Sequence, residues 1–354
     1  MQKKYSLLVH TLGHFCVDFC CFFLLFAGFK NAERSASEIT IGFLCYNIIA
    51  FGLQPIIGCF CDNHKKFPIS LIGCTLLFLA IIFFRKGWVP MIIAALGNAC
   101  FHVGGGIESL VNANGKMARS GVFVSSGALG VSLGTFAGIS PSFPVIIPIM
   151  MLSVCILLLL TVFPGQLVFK SVDNPKPVRL YIASTTQPII FMLLLLFFSV
   201  FIRAYAGSIL PIKWKNGIFL SLLPSIAAFS GKFFGGFFAD RFGAKNTGVA
   251  TLLLSVPLLL FGIGSPILTS VGLLLFNMNM SITLCAVYSL LPDNPGLSFG
   301  IPTLALLCGG ALTFFFSLSS TVSLYLVSFL TISSAIGLIF STVNQSTIAG
   351  SHSN

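Results

Sequence analysis

The sequence has few charged residues. Charged side chains make up 8% of its 354 residues, whereas hydrophobic side chains make up 56%. A soluble domain carries about 25% charged residues, so this chain lacks the groups needed to cover a water-exposed surface. The low charge excludes an ordinary soluble protein and favours a chain embedded in lipid, where each span needs about 20 apolar residues.

Acidic residues are the scarcest charged type, with 8 Asp and Glu against 19 Lys and Arg. The net charge of +11 could indicate nucleic-acid binding, but that function needs basic residues gathered on one soluble face. Here the basic residues lie mostly in short clusters between apolar runs, which is how membrane topology is encoded. We therefore expect the lipid bilayer as a partner and no nucleic acid.

The sequence also lacks a Walker-type Gly-x-x-x-x-Gly-Lys-Ser/Thr run, so we expect no nucleotide hydrolysis by this chain. Most of the 11 cysteines lie inside apolar segments, and Cys59 and Cys61, the nearest to a metal-type pair, are not part of a longer cysteine cluster. We interpret the cysteines as small buried side chains. We expect no metal, no cofactor and no catalytic residue, so the chain is not predicted to be an enzyme.

Twelve apolar segments can be drawn along the chain. They run over about 5–29, 37–60, 67–85, 88–111, 119–140, 143–169, 187–211, 216–239, 247–264, 266–291, 296–317 and 322–342. The first is too long for a signal peptide and is interpreted as a retained helix. The pattern predicts an all-α integral membrane protein of about 12 transmembrane helices in two pseudo-symmetric six-helix bundles.

The longest polar stretch lies near the middle of the chain and contains Asp173-Asn174-Pro175-Lys176-Pro177. It predicts a cytoplasmic linker, residues 170–186, between an N-terminal bundle (1–169) and a C-terminal bundle (187–354). Lys and Arg are more frequent in the loops on the side of the N-terminus, which favours both termini in the cytoplasm. We expect a multi-pass protein of the plasma membrane.

An internal repeat supports the two halves. Gly58 and Asp62 recur 178 residues later as Gly236 and Asp240. A second set of residues recurs 179 residues later. The second set pairs Asn98 with Asn277, Asn114 with Asp293, Gly121 with Gly300, and Gly130 with Gly309. An even number of spans in each half makes the repeat parallel, as in transporters that rock two bundles about a central site.

The end of the eighth segment has the pattern Gly236-x-x-x-Asp240-Arg241-x-Gly243-x-Lys245. Gly236 permits close helix approach, and Gly243 suits a tight turn. Asp240, beside Arg241 and Lys245, could pair across the bundle in one conformation and separate in another, which predicts a gate formed with Gly58 and Asp62. The alternative is that these residues only end the membrane span, and that Arg241 and Lys245 hold that end on the cytoplasmic side.

These motifs resemble those of the major facilitator superfamily, although the first-half copy has Asn63 and His64 where that family has Arg and another residue. Further motifs resemble the fosmidomycin-resistance-type branch: Gly13-His14-Phe15-x-x-Asp18, Gly97-Asn98-Ala-x-Phe101-His102, Arg203-Ala-Tyr205-Ala-Gly207 and Leu291-Pro292-x-x-x-Gly296. The resemblance implies proton-driven efflux of a small compound, for which an anion is one candidate.

Each charged side chain inside the bilayer needs a structural or functional explanation, because placing one at the bilayer centre costs at least about 2.5–3.5 kcal/mol. His14 and Asp18 are four residues apart and share a helix face. We interpret Asp18 as the proton carrier and His14 as the group that tunes it. A fixed ion pair or a polar packing contact is the alternative.

Polar residues on other segments are candidate substrate ligands. Arg203 could hold an anionic substrate, because its guanidinium forks onto carboxylate or phosphate oxygens. It could also neutralise Asp18 or extend its charge to the outer surface. His102 precedes three glycines and could line a transport site, or it could be a packed buried histidine. Asn98 and Asn277 could contact substrate or bridge helices. Lys232 is interpreted as an ion-pair partner near the inner mouth.

The leading interpretation is a secondary transporter that works by alternating access, with a small-molecule substrate and protons as the coupling ion. A membrane-embedded enzyme, a non-transporting receptor, a lipid-moving protein and solute uptake instead of efflux are the alternatives. A dependence of activity on a proton gradient would separate transport from the others.

Overall fold

The computed structural model describes residues 2–30, 34–64, 67–84, 87–113, 115–166 and 188–342. The predicted linker, Asn114 and the last twelve residues, 343–354, lie outside these ranges. The α-helices are α1 (Gln2–Phe23), α2 (Ala36–Gly52), α3 (Gln54–Asn63), α4 (Ile69–Ile82), α5 (Trp88–Val111), α6 (Ala118–Ile139), α7 (Ile146–Gln166), α8 (Ile189–Ile209), α9 (Gly217–Phe242), α10 (Ala244–Phe261), α11 (Pro266–Asn277), α12 (Asn279–Leu290), α13 (Pro295–Ala311) and α14 (Ser320–Ser341). Within the described ranges there is no β-strand.

Ten helical segments of the described chain are long and apolar enough to cross a membrane. Two more apolar helices, Ile69–Ile82 and Ile146–Val162, are shorter and coincide with the third and sixth predicted segments. The prediction of an all-α, multi-pass membrane protein is confirmed. The arrangement of the spans in two six-helix bundles stays a prediction.

Some spans are built from two helical pieces. The span Ala36–Asn63 changes from α2 to α3 at Leu53, and Pro55 lies in the first turn of α3. Proline has no backbone N–H to continue the ladder, so the span is interrupted there. The span Pro266–Leu290 changes from α11 to α12 at Met278, and α1 continues as a π-helix over Leu24–Lys30. Such interruptions in lipid are tolerated where neighbouring groups satisfy the backbone.

Three of the described helices begin with a serine cap. The Ser35 hydroxyl accepts a hydrogen bond from the Glu38 backbone N–H at 3.3 Å, and the Glu38 carboxylate accepts one from the Ser35 backbone N–H at 3.0 Å. This capping box satisfies two otherwise unpaired donors at the start of α2. The hydroxyls of Ser265 and Ser319 each accept one backbone N–H at the starts of α11 and α14.

The chain forms two compact units. Unit 1 contains Met1–Asn112, Ser126–Asn174 and Asp293–Thr303, whereas unit 2 contains Ala113–Ser125, Pro175–Pro292 and Leu304–Asn354. Each unit therefore takes most of its residues from one half of the sequence and includes the first part of one helix, α13 or α6, from the other half. The predicted domain boundaries stay a prediction, because the linker lies outside the described residues.

Glycines bring the helices of each unit into close contact. In unit 1, a Cβ at Gly73 of α4 would strike the backbone of Gly97 and Phe101 in α5. In unit 2, a Cβ at Gly235 of α9 would strike the backbone of Met278. Because lipid offers no hydrophobic drive for helix association, this close backbone packing supplies van der Waals contact that larger residues would prevent.

Candidate functional site

The first candidate site lies on α1 in unit 1. His14 Nε2 is 3.3 Å from Asp18 Oδ2, because residues four apart on a helix face the same side. His14 and Asp18 are 6% and 8% exposed. A carboxyl group this deep in an apolar chain needs a cationic or hydrogen-bonding partner, and the neighbouring imidazole is one.

Helix α5 brings two more polar side chains to the same carboxylate. His102 Nε2 is 3.4 Å from Asp18 Oδ1, and Asn98 Nδ2 donates to Asp18 Oδ1 at 3.2 Å. The His14 and His102 rings meet edge to face, with centroids 4.5 Å apart. His14, Asp18 and His102 each offer one ligand atom, and these atoms all lie within 4.8 Å of one another. We call these three residues with Asn98 the His–Asp cluster.

The orientation of His102 is fixed within its own helix. Its Nδ1 lies 2.9 Å from the backbone carbonyl oxygen of Asn98. A carbonyl can only accept, so Nδ1 carries the proton in this contact. The Nε2 lone pair of a neutral His102 ring then points at a carboxylate oxygen, and a cation between the two would remove the repulsion.

Gly127 of α6 closes the cluster from a third side. A Cβ at this position would overlap the Asp18 Oδ2 and His14 Nε2 atoms. The absence of a side chain at Gly127 therefore allows Asp18 and His14 to pack directly against the α6 backbone.

The second candidate site is a cavity of about 390 Å³ in unit 2. Its polar lining includes Arg203, Lys215, Lys232 and Asn277, and the described residues that line it include no acidic side chain. A cavity lined by three basic residues and no acid presents positive charge to its contents. Its apolar lining comes mainly from Val200, Leu210, Ile212, Leu273, Phe276 and Leu306.

Arg203 is held in place within this cavity wall. Its Nε donates to the Ser199 carbonyl oxygen at 3.0 Å, and its Nη2 donates to the Thr283 hydroxyl at 3.0 Å. The residue is 6% exposed. These two bonds leave further guanidinium N–H groups for another acceptor, because the side chain has five donors.

The predicted gate residues lie at helix ends. In unit 1, the Asp62 carboxylate accepts hydrogen bonds from the backbone N–H groups of Gly296 at 2.7 Å and Leu297 at 2.9 Å. These are N-terminal groups of α13, which have no partner within their own helix. A Cβ on Gly58 or Gly296 would overlap the backbone of the other, so both glycines are needed for the approach.

Unit 2 contains the equivalent contact. The Asp240 carboxylate accepts hydrogen bonds from the backbone N–H groups of Met117 at 2.7 Å and Ala118 at 3.0 Å, at the start of α6. A Cβ on Gly236 would strike the Met117 and Ala118 backbone. The two contacts match under the sequence repeat, and each places a carboxylate on the positive end of a helix dipole.

The neighbours of Asp240 have different surroundings. Arg241 is exposed, and its guanidinium carbon lies 5.6 Å from the centre of the Phe242 ring. Gly243 has a φ of 89° and separates α9 from α10, which is the left-handed region that favours glycine. Lys245 lies in the first turn of α10. The sequence indicated Asp240 as a gate but not its partners at α6.

Two short sequence patterns that occur in enzymes are explained by helix geometry here. His10 and His14 have the spacing of a His-x-x-x-His pair, yet His10 Nδ1 lies 2.9 Å from the Ser6 carbonyl oxygen one turn back, and His14 contacts Asp18. Gly130-Val131-Ser132-Leu133-Gly134 has the spacing of a nucleophile elbow, but it lies inside α6 and both glycines pack on the α1 backbone. An elbow needs a strand-to-helix turn, which this segment does not form.

No protein-family model and no curated protein matches the chain in sequence. Solved structures do match it. A structure of the major facilitator superfamily transporter FucP in the outward conformation has a TM-score of 0.65 and 13% identity, covering 95% of this chain and 98% of that one. A second structure of FucP, described as the E. coli fucose:proton symporter, has a TM-score of 0.62 and 13% identity over the same shares of both chains.

A bacterial homologue of the iron transporter ferroportin, in an outward-facing state with soaked iron, has a TM-score of 0.60 and 14% identity, again covering 95% of this chain and 98% of that one. These similarities extend over nearly the whole length of both chains, but identities this low establish a common fold only. The chain has the fold of major facilitator superfamily transporters.

Proposed function

We propose that the chain is a secondary active transporter of the major facilitator superfamily that exports a small anionic solute in exchange for protons. The observation that carries the proposal is the cavity of unit 2. The buried Arg203 lies in its wall with Lys215 and Lys232, and its described lining residues include no acid. The fold shared with FucP supports transport as the general activity.

The cavity suits a small anion for physical reasons. Arg203 is prepositioned by Ser199 and Thr283, so little side-chain entropy is lost when its remaining N–H groups bind a carboxylate or phosphate. Asn277 adds a neutral hydrogen-bonding group to the same wall. The apolar lining restricts hydration, which strengthens the attraction between the fixed cations and an anion.

The His–Asp cluster supports proton coupling. Asp18 lies between two imidazoles and is shielded from water. A proton shared among these groups neutralises the repulsion between the His102 lone pair and the carboxylate. In this proposal Asp18 carries the proton and His14 sets its affinity, as their spacing of four residues in the sequence suggested.

The two aspartate–helix contacts are proposed as the gate. Each holds an end of one helix against the first turn of another by two charge-assisted hydrogen bonds. Alternating access requires such contacts to form in one state and break in another. The paired glycines allow this, because they keep the helix surfaces close without interlocking side chains.

The test is uptake of radiolabelled fosmidomycin and a panel of small carboxylates and phosphonates into inverted vesicles, with and without an imposed proton gradient. Gradient-dependent uptake that is lost in Arg203→Gln and kept in Arg34→Gln supports the proposal. Arg34→Gln is the matched control, since it removes one positive charge beside Glu38 and Arg34 does not line the cavity. Gradient-independent uptake, or equal loss in both variants, would contradict it.

Solute uptake by symport is the second candidate. It is favoured by the description of FucP as a fucose:proton symporter. The same assay in right-side-out vesicles distinguishes the two candidates. A symporter accumulates solute in these vesicles when protons flow inward with it, whereas an exporter accumulates solute only in inverted vesicles.

A further inference from the structure

We propose that His14, Asp18 and His102 form a binding site for a divalent transition-metal ion. This inference does not depend on the identity of the transported solute, and a bound ion would take the place of the proton that the proposed function assigns to Asp18. It rests on three ligand-type side chains from two helices, all buried, whose donor atoms lie within 4.8 Å of one another.

The spacing of the donor atoms matches a metal site. His14 Nε2 and His102 Nε2 lie 3.3 Å and 3.4 Å from the two oxygens of Asp18. Ligands at about 2.0–2.2 Å from a tetrahedral metal are separated by about 3.3–3.5 Å. The ion can therefore enter between the imidazoles and the carboxylate with small changes in side-chain torsions.

The orientation of His102 is that of a metal ligand. Its Nδ1–H donates to the Asn98 carbonyl oxygen, and in metal sites the second ring nitrogen of a ligating histidine commonly donates to a carbonyl or carboxylate. This bond fixes the tautomer that leaves Nε2 as a donor to metal. In the neutral ring the Nε2 lone pair then faces an Asp18 oxygen 3.4 Å away, and an ion held by both groups would remove the repulsion between them.

A fourth ligand is available from Asn98. Its Nδ2 lies 3.2 Å from Asp18 Oδ1, and its Oδ1 is buried with no hydrogen-bond partner in the described part of the chain. A half-turn of the carboxamide exchanges the two atoms and places Oδ1 beside the ion. Gly127 of α6 packs directly against Asp18 Oδ2 and His14 Nε2, so the backbone of a third helix covers the site.

The donor set selects the class of ion. Two imidazole nitrogens and a carboxylate suit Zn²⁺, Fe²⁺, Co²⁺ and Ni²⁺, whereas Mg²⁺ and Ca²⁺ prefer oxygen ligands and Cu⁺ prefers sulfur. Because the site is buried, a bound ion would retain few waters, which also disfavours Mg²⁺.

The test is binding of Co²⁺ to the purified chain in detergent, monitored by absorption spectroscopy. Zn²⁺ is then added to displace the bound Co²⁺. The chain is purified without a polyhistidine tag. We expect one Co²⁺ per chain beyond the background from cysteines, with visible bands of nitrogen and oxygen coordination, and displacement by Zn²⁺ but not by Mg²⁺ or Ca²⁺.

The variants His14→Gln, Asp18→Asn and His102→Gln should each weaken binding at least tenfold. His10→Gln is the matched control, because this buried histidine lies one turn away on α1 and is outside the three-residue group. Gly127→Ala should also weaken binding, since the added methyl would overlap Asp18 Oδ2 and His14 Nε2 and displace them while every ligand residue is kept. Thermal melting checks folding, and Zn²⁺ should raise the melting temperature of the wild type and of His10→Gln only.

Absence of Co²⁺ binding by folded wild-type protein would overturn the proposal. So would binding that survives all three ligand variants, or displacement by Mg²⁺. Proton-driven solute transport is measured separately, so that a result against the metal site can be distinguished from a result against the proposed transport function.

Discussion

The carboxylate of Asp62 accepts a hydrogen bond from the backbone N–H of Gly296 at 2.7 Å, although 234 residues separate them in the chain. The second carboxylate oxygen accepts from Leu297. An acidic side chain at the end of α3 therefore caps the N-terminus of α13. Asp240 does the same for α6 in unit 2, which identifies a helix terminus as the partner of the repeated aspartate in both halves of the sequence.

We predict that Asp240→Ala lowers the free energy of unfolding by about 1–2 kcal/mol, because it removes a cap and a charge from a helix N-terminus. Asp240→Asn should lower the free energy of unfolding by less, since the amide oxygen of asparagine still accepts one hydrogen bond. Arg241→Gln should change little, as the side chain is exposed. Unfolding in detergent measures all three, and a loss in Arg241→Gln as large as in Asp240→Ala would point to an ion pair instead of a helix cap.

We predict that Gly58→Ala destabilises the protein by about 1–3 kcal/mol, because the added methyl would overlap the Gly296 backbone. Gly310→Ala is the matched control. It lies in α13, and a Cβ added there would have nothing within 4 Å, so alanine should stabilise by about 0.4–1 kcal/mol. Thermal unfolding of the two variants should shift in opposite directions. Equal shifts would refute the close-approach explanation for Gly58.

We predict that Arg203→Lys raises the KM for an anionic solute at least tenfold with a smaller effect on kcat. Lysine keeps the charge but cannot bond Ser199 and Thr283 while presenting a flat pair of donors. Initial-rate transport measurements separate the two parameters. An unchanged KM would mean that Arg203 does not touch the solute, and Arg34→Lys provides the baseline for the same exchange elsewhere.

We predict that Asp18→Asn abolishes accumulation driven by a proton gradient but retains solute exchange between equal concentrations on both sides. Asparagine cannot carry the proton, whereas the cavity of unit 2 is untouched by the change. Counterflow and gradient-driven uptake in the same vesicles measure the two activities. Retained gradient-driven accumulation would exclude Asp18 as the proton carrier.

Local patterns allowed several features to be predicted. The spans follow from runs of apolar residues, and the contact between His14 and Asp18 follows from a spacing of four on one helix. The repeat of Gly58 and Asp62 as Gly236 and Asp240 also pointed to equivalent roles. None of these required knowledge of which helices are neighbours.

Other features could not be obtained from such patterns. His102 and Asn98 reach Asp18 because α5 packs against α1 with a particular rotation, and a periodic sequence does not specify this rotation. Lys215 and Lys232 line the cavity with Arg203 because a loop and α9 meet α8 there. The ion pair expected for Lys232 stays a prediction.

The sequence by itself determined that the chain is helical and embedded in lipid, because hydrophobic length and local spacing depend only on nearby residues. The tertiary structure alone decided which distant groups converge: the two imidazoles on one carboxylate, and each repeated aspartate, Asp62 or Asp240, on the first turn of a helix from the other half of the sequence. Those contacts depend on helix rotation and crossing, which are set by packing summed over many residues far apart in the chain.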